Sequence, residues 1–308
     1  MVYRGQADLG VTLAVQSRND LAGIAWMVVT GLCFVAVNAL VKVYGQGLPS
    51  AQSAFIRFLF GLVFLSPVLV RTARRGLPPG LIGPFALRAA LHVLAVILWF
   101  YAMTRLPIAE VTAIGFLNPI VATLGAAALL GETLSWRRGL AIGVALLGVL
   151  VVLRPGMRAL EVGHLAQIGA AVAFGLSYLV ARRLAQRAPA DVVVAMMALT
   201  VTVGLAPLAF AVWVPPSWEQ VFGLGLVAVF ATAGHYTMTR AFAVAPLAVT
   251  QPVTFLQLIW ASLLGMALFA EPFDPMVLIG GGMMIAAISY ITWREARLNA
   301  APRQRRSQ

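Results

Sequence analysis

Apolar residues run along this chain in long unbroken blocks, each closed by a short polar or Gly/Pro-rich turn. The blocks fall at 21–43, 51–70, 82–104, 108–130, 136–153, 164–184, 191–213, 219–241, 246–269 and 275–293. A helix that crosses a bilayer takes about 20 apolar residues. A transmembrane strand instead alternates apolar and polar positions over about ten residues. No such alternation runs through the blocks, so they predict ten transmembrane helices. The turns between them include Gly45-Gln46-Gly47-Leu48-Pro49, Gly76-Leu77-Pro78-Pro79-Gly80, Arg154-Pro155-Gly156, Pro215-Pro216-Ser217 and Glu271-Pro272-Phe273-Asp274-Pro275, which are sequences that break a helix.

Composition agrees. Of 308 residues, 61% are hydrophobic and only 10% charged, with mean hydropathy +0.92. Soluble proteins carry about 25% charged residues, and a soluble domain of this length has too little interior to hide so much apolar surface. A water-soluble enzyme and a disordered chain are excluded. Cys33 stands alone, so a disulfide scaffold is excluded too. The net charge of +12 would suit nucleic acid if it were gathered in one patch. It is spread through loops and the tail, so no nucleic-acid partner is expected. Sixteen of the 22 Lys and Arg fall on the N-terminal tail and the even-numbered loops, four on the other side, and Arg57 and Arg88 inside spans. This asymmetry predicts both termini in the cytoplasm. The first apolar block is of full span length and is followed by no small-residue cleavage site, so no cleavable signal peptide is expected.

The two halves of the chain match. Shifting 107–132 by 139 positions lays it on 246–271 with ten identities, among them Pro107 on Pro246, Phe116-Leu117 on Phe255-Leu256, and Glu132 on Glu271. Leu65-Ser66-Pro67 resembles Leu205-Ala206-Pro207 in the same sense. Five spans per half is an odd number, so the second half enters the membrane from the opposite side. The expected fold is therefore all-α and integral to the membrane, with ten transmembrane helices as two inverted-topology five-helix repeats. The expected divisions are a tail at 1–20, a first repeat at 21–155, a second at 156–294 and a basic tail at 295–308. Such halves rock against each other and expose a central site to each side in turn, which predicts an alternating-access transporter.

Two stretches carry a family likeness: Phe116-Leu117-Asn118-Pro119-Ile120 through Gly131-Glu132-Thr133-Leu134, and Phe255-Leu256-Gln257-Leu258-Ile259 through Ala270-Glu271-Pro272-Phe273. They resemble the drug/metabolite transporter superfamily of EamA type over about 21–294. The second copy departs from the family pattern, with Ala270 in place of Gly and Leu258 in place of Pro. More narrowly, the chain resembles the bacterial aromatic-amino-acid exporters. The resemblance implies a central cavity lined by the first, third, fourth, sixth, eighth and ninth spans, a bacterial inner-membrane location, and export of small metabolites.

Polar residues at membrane depth face a cavity or another helix. Arg88, His92, Trp99 and Met103 share one face of the third span, as Thr250, Thr254 and Gln257 do of the ninth. Asn118 is the repeat partner of Gln257. The candidate substrate-binding residues are Asn118, Gln257, Thr254, Trp99, Tyr101, His92, Tyr178, His235, Tyr236 and Asn38. Hydrogen-bonding groups beside aromatic walls suit amphipathic amino acids, aromatic and other neutral ones included. The same residue types also hold helices together. Both roles stay open for Asn118 and Gln257, and packing leads for Thr250, Thr254 and Ser177. Arg88 is expected to snorkel to the cytoplasmic surface.

No carboxylate falls mid-span, and Glu110 in the first turn of the fourth span comes closest. Ion-driven transporters commonly place acids along the ion path, so facilitated diffusion or exchange is favoured. Coupling through His92, His235 or Glu110 is the alternative, giving a proton-coupled exporter of drugs, purines or other metabolites. Glu132 and Glu271 read as structural turn residues. No metal cluster, nucleotide loop or catalytic motif is visible in the spans, which argues against an intramembrane enzyme. No cofactor is expected. The expected partners are a small-molecule substrate and the lipid bilayer, and the expected state is a monomer or weak homodimer. Gly139-x-x-x-Gly143 and Gly280-Gly281-Gly282 are expected to pack within the monomer.

Overall fold

The computed structural model describes residues 19–130, 135–157 and 159–304. The helices are α1 (Asp20–Tyr44), α2 (Ser50–Arg75), α3 (Ile82–Met103), α4 (Ile108–Gly115), α5 (Leu117–Leu130), α6 (Trp136–Leu153), α7 (Val162–Ala185), α8 (Ala190–Ala211), α9 (Trp218–Val244), α10 (Leu247–Thr250), α11 (Thr254–Phe269) and α12 (Pro275–Gln304). Among the described residues the secondary structure is helical, and the chain is a ten-span membrane protein. Hydrocarbon offers backbone groups no partner, which is why the segments close their hydrogen bonds internally.

The fourth and ninth spans differ from the continuous helices that the apolar pattern predicts. The fourth is broken at Phe116, between α4 and α5. Pro119 has no N–H to donate to the carbonyl four residues back, so the ladder cannot run through. The ninth breaks at 251–253, where Pro252 stands and the chain tightens into three-residue bonds such as Val253 N–H to Thr250 (3.2 Å) and Thr254 N–H to Gln251 (3.0 Å). A hydropathy pattern cannot register these breaks, because the residues at them are as apolar as the rest.

Helix packing follows a two-fold pattern. Exchanging the halves sends α1 to α7, α2 to α8, α3 to α9, α4–α5 to α10–α11, and α6 to α12. Under that exchange the contact of α1 with α9 becomes that of α7 with α3, and both are extensive. The α5–α7 contact maps onto α11–α1, and α3–α8 onto α9–α2. The α2–α8 and α6–α12 contacts map onto themselves and straddle the axis. With five spans per half, that axis lies in the membrane plane, which makes the repeat inverted.

Glycines enforce the closest approaches in matched places. A Cβ on Gly31 of α1 would stand 2.9 Å from the Trp260 ring and 3.5 Å from the Gln257 Cβ. A Cβ on Gly175 of α7 would stand 2.7 Å from the Asn118 carbonyl and 2.7 Å from Val121. Asn118 and Val121 are the repeat partners of Gln257 and Trp260, so one contact is built twice. Gly148 and Gly280 make the α6–α12 crossing, each against the other's carbonyl. Gly143, expected to serve packing, faces open space instead. Large exposed apolar residues such as Val63, Leu140, Val203 and Ile279 on α2, α6, α8 and α12 form lipid-facing surface.

Helix α11 ends at Ala270 with φ +51°, in the left-handed region. This is the residue that stands where the family pattern has glycine. A side chain there costs about 1–2 kcal/mol. Ala270→Gly is therefore expected to stabilise the protein by about 1 kcal/mol, seen as a higher midpoint of thermal unfolding in detergent.

Candidate functional site

The middle of the bundle is where α1, α2, α3, α7 and α9 bring polar and aromatic side chains together. His92 of α3 is buried, and its Nδ1 lies 3.2 Å from the Ser177 hydroxyl of α7. A run of rings passes through it. Phe58 meets His92 at 5.9 Å, His92 meets Phe174 at 5.1 Å, and Phe174 stacks on Tyr178 at 6.2 Å. On the other side Phe34 meets His235 edge-on at 5.3 Å. Tyr178 is 41% accessible, and Arg57 and His235 are half-buried, beside buried His92 and Ser177. Accessible polar side chains among packed helices mark the edge of a cleft.

Arg57 and Arg88 both lie in the N-terminal third of their helices, and α2 and α3 run in opposite directions, so they flank His92 from opposite sides. Arg57 lies over the Phe58 ring, which meets His92, and Arg88 stands one turn before His92 on α3. Arg88 does not snorkel as expected. It is only 6% exposed, and its Nη1 donates to the Val193 carbonyl at 3.0 Å. Apolar charge patterning suggested an escape to the surface, and the neighbouring helix α8 closes that route.

The other expected site residues scatter. Asn38 donates to the Thr112 hydroxyl at 3.1 Å and so bonds α1 to α4. The Thr254 hydroxyl donates to the Gln251 carbonyl at 2.6 Å, inside the break of the ninth span. Gln257 is half-buried with its Cβ against Gly31, and Asn118 has a buried Oδ1 with no hydrogen-bond partner. Trp99 packs edge-on against Phe100, about 10 Å along α3 from His92. Tyr101 lies farther still, under the Arg105 guanidinium at 3.6 Å. Tyr236 stands exposed on α9. Of the expected set, the structure gathers His92, Tyr178 and His235. It adds Arg57, Ser177, Phe58 and Phe174, of which the in-span Arg57 was the readable signal.

At the face away from the termini two ion pairs and one carboxylate–histidine hydrogen bond each join one half to the other. Lys42 pairs with Glu271, Arg154 with Asp274, and Glu110 with His164 at 2.9 Å. Glu271 does more than turn the chain, since it also accepts the Ile108 N–H at 2.9 Å and caps α4. His164 accepts the Glu161 N–H on Nδ1 at 3.0 Å, which leaves the ring proton on Nε2 to be donated to Glu110. Val41, Met103, Leu106 and Ile108 are completely buried at this end. A cavity of about 220 Å³ lies beside the ion pairs, lined by Glu110, Arg154, Glu271 and Asp274 among others. Glu132, the partner of Glu271 in the first half, lies outside the described residues. Among the described residues no group of His, Cys, Asp and Glu could hold a metal ion.

Residues 21–154 and 161–293 each match the EamA-like transporter family. The chain belongs to that family. Relatives of this EamA-like transporter include an S-adenosylmethionine uptake transporter of Rickettsia prowazekii, 24% identical over 91% of this chain and 95% of that protein. A riboflavin transporter of Vibrio cholerae is 25% identical over the same shares. A pseudopaline exporter of Pseudomonas aeruginosa is 24% identical over 86% of this chain and 94% of that protein. A crystal structure 18% identical in sequence superposes with TM-score 0.58 over 90% of this chain and 99% of that one, so the fold is shared. The EamA-like chain is thus a multi-pass membrane transporter of small metabolites and not an enzyme.

Removing one member of a buried ion pair strands the other. Glu271→Gln is expected to destabilise the EamA-like transporter by about 3 kcal/mol. Lys42→Met is expected to cost a similar amount, and the double variant less than the sum of the two. Denaturant unfolding in detergent measures all three.

Proposed function

We propose that this transporter exports or exchanges amino acids, aromatic and other neutral ones included, by alternating access and down their own gradients. The observation that carries the reading is the cluster of aromatic and polar side chains among α1, α2, α3, α7 and α9, where the Phe174 and Tyr178 rings stack beside the buried His92–Ser177 pair and Tyr178 is partly accessible. Such a cluster offers an apolar wall and hydrogen-bonding groups to one amphipathic solute. His92, Tyr178 and His235 are its proposed substrate contacts, with Asn118 and Gln257 flanking it on the broken spans. Broken spans in matched positions of the two halves support the same location, because discontinuous helices build the central sites of inverted-repeat transporters. The two ion pairs and the Glu110–His164 hydrogen bond fasten the halves at one face, as one end state of the cycle requires. The relatives are named for solutes that differ from one another, so the amino-acid reading rests on the residues and not on kinship.

The proposed orientation has both termini in the cytoplasm of a bacterial inner membrane, on the strength of the sixteen-to-four distribution of Lys and Arg. The locked face is then the outer one.

A second reading is favoured by one observation. Glu110 and His164 form a buried pair across the halves, beside the 220 Å³ cavity. A carboxylate that must part from its partner when the halves move is a natural place for a proton to enter. His92 and His235 stand in the cleft without a carboxylate, so Glu110 is the better coupling residue.

Liposomes loaded with unlabelled L-phenylalanine, L-methionine or L-threonine distinguish these readings. Saturable counterflow of the labelled amino acid, unchanged by an imposed pH gradient, is expected. Failure of all three to exchange would remove the amino-acid reading. Accumulation driven by the pH gradient, abolished in Glu110→Gln while counterflow persists, would replace facilitated exchange by proton coupling.

A further inference from the structure

Two arginines flank the cluster: Arg57 lies over Phe58, whose ring meets His92, and Arg88 stands one turn before His92 on α3; among the described residues neither forms an ion pair with a carboxylate. The described acids whose partners are known lie elsewhere: Glu110, Glu271 and Asp274 are paired at the locked face, and the Asp191 carboxylate accepts the Val192 N–H at the start of α8. A guanidinium keeps its charge at any pH a cell meets. At membrane depth a charge is expensive unless it finds a partner or water. Arg88 is buried, is held by one bond to the Val193 carbonyl, and has an Nε with no partner. Arg57 makes no hydrogen bond or ion pair among the described residues, and its guanidinium lies over the Phe58 ring at 4.1 Å. The Tyr178 ring is joined to His92 through Phe174. The cluster thus carries two cationic donors at its flanks and, among the described residues, no paired acceptor of matching charge.

We propose that the counter-charge arrives with the solute. The cleft binds an organic anion, a carboxylate or a phosphate monoester. Its anionic head lies between Arg57 and Arg88, and its apolar body lies against the stacked Phe174 and Tyr178 rings. Arg guanidinium forks match both head groups. Arg57 closes on the anion, and Arg88, fixed by α8, offers its free Nε–H. The inference rests on the transport reading above and narrows its substrate class, since a neutral amino acid carries a carboxylate while a purely cationic or uncharged solute has nothing to offer the arginines.

Calorimetric titration of the purified full chain in detergent tests this with 3-phenylpropionate and phenyl phosphate against 2-phenylethylamine and L-phenylalaninamide. At least one anion is expected to bind and neither cation to do so. Tighter binding of 3-phenylpropionate or of phenyl phosphate names the head group. Arg57→Gln is expected to weaken anion binding by roughly tenfold or more, the loss of one charge-assisted hydrogen bond, with Arg57→Lys in between. Arg57 has no bond in the resting structure to lose, so this variant is expected to fold, and Arg88→Gln serves as a second probe where it remains monodisperse. Cations that bind as well as the anions, or anion binding untouched in Arg57→Gln, would overturn the inference. Wild-type L-phenylalanine counterflow that survives in Arg57→Gln would defeat the anion site alone. Absence of both anion binding and counterflow would defeat the amino-acid reading with it.

Discussion

A polar group inside a bilayer has no solvent to satisfy it, and the rest of this structure follows from where its polar groups find partners. Helical hydroxyls turn back on their own helix. Thr202 bonds the Ala198 carbonyl, Ser262 that of Leu258, and Thr292 that of Ile288. Other groups bond across helices: Thr30 with Thr237 at 2.9 Å, Asn38 with Thr112, and Gln167 with the Val111 carbonyl at 2.9 Å. Each such bond fixes which helix faces meet. Arg88 Nε and Asn118 Oδ1 are buried and keep an unused donor and acceptor.

The helix pairing obeys the two-fold axis. Gly31 against Gln257 and Trp260 repeats as Gly175 against Asn118 and Val121, so the halves pack alike. Two cross-half ion pairs and the Glu110–His164 hydrogen bond, among the described residues, gather at a single face. A scaffold of this symmetry suits the proposed alternating-access cycle, whose two end states the in-plane two-fold axis would interchange. The broken spans α4–α5 and α10–α11 sit between the moving halves, where freed backbone groups can change partners without unfolding a helix.

Ten spans, their inversion and the repeat were readable in the sequence, because apolar blocks of span length and an odd count per half leave little alternative. The breaks in the fourth and ninth spans were not, although Pro119 and Pro252 marked them, because tertiary packing decides whether a proline kinks a helix or ends it. The site was readable only in part. His92, Tyr178 and His235 came together because each sits on an inward face of its helix. Trp99 and Tyr101 share α3 with His92 but stand up to about 14 Å farther along it, and periodicity records direction around an axis but not depth along it. Arg57 and Arg88 were visible as charges inside apolar blocks. Snorkelling was the reasonable expectation for Arg88, and only the position of α8 shows why it fails. Glu110 was singled out as the acid nearest a span, whereas its partner His164 belongs to the other half and no local pattern joins them.

The three fastenings differ in how far water reaches them. His164 and Glu110 are nearly dry, Lys42 and Glu271 less so, and Arg154 and Asp274 are the most accessible, at 28% and 21%. Dissolved ions screen exposed charges far more than buried ones, over a distance of about 8 Å at physiological strength. Salinity in the compartment beyond that face therefore loosens the Arg154–Asp274 clasp first and the Glu110–His164 one last. The balance between the open and shut forms thus depends on the ionic medium as well as on the cargo.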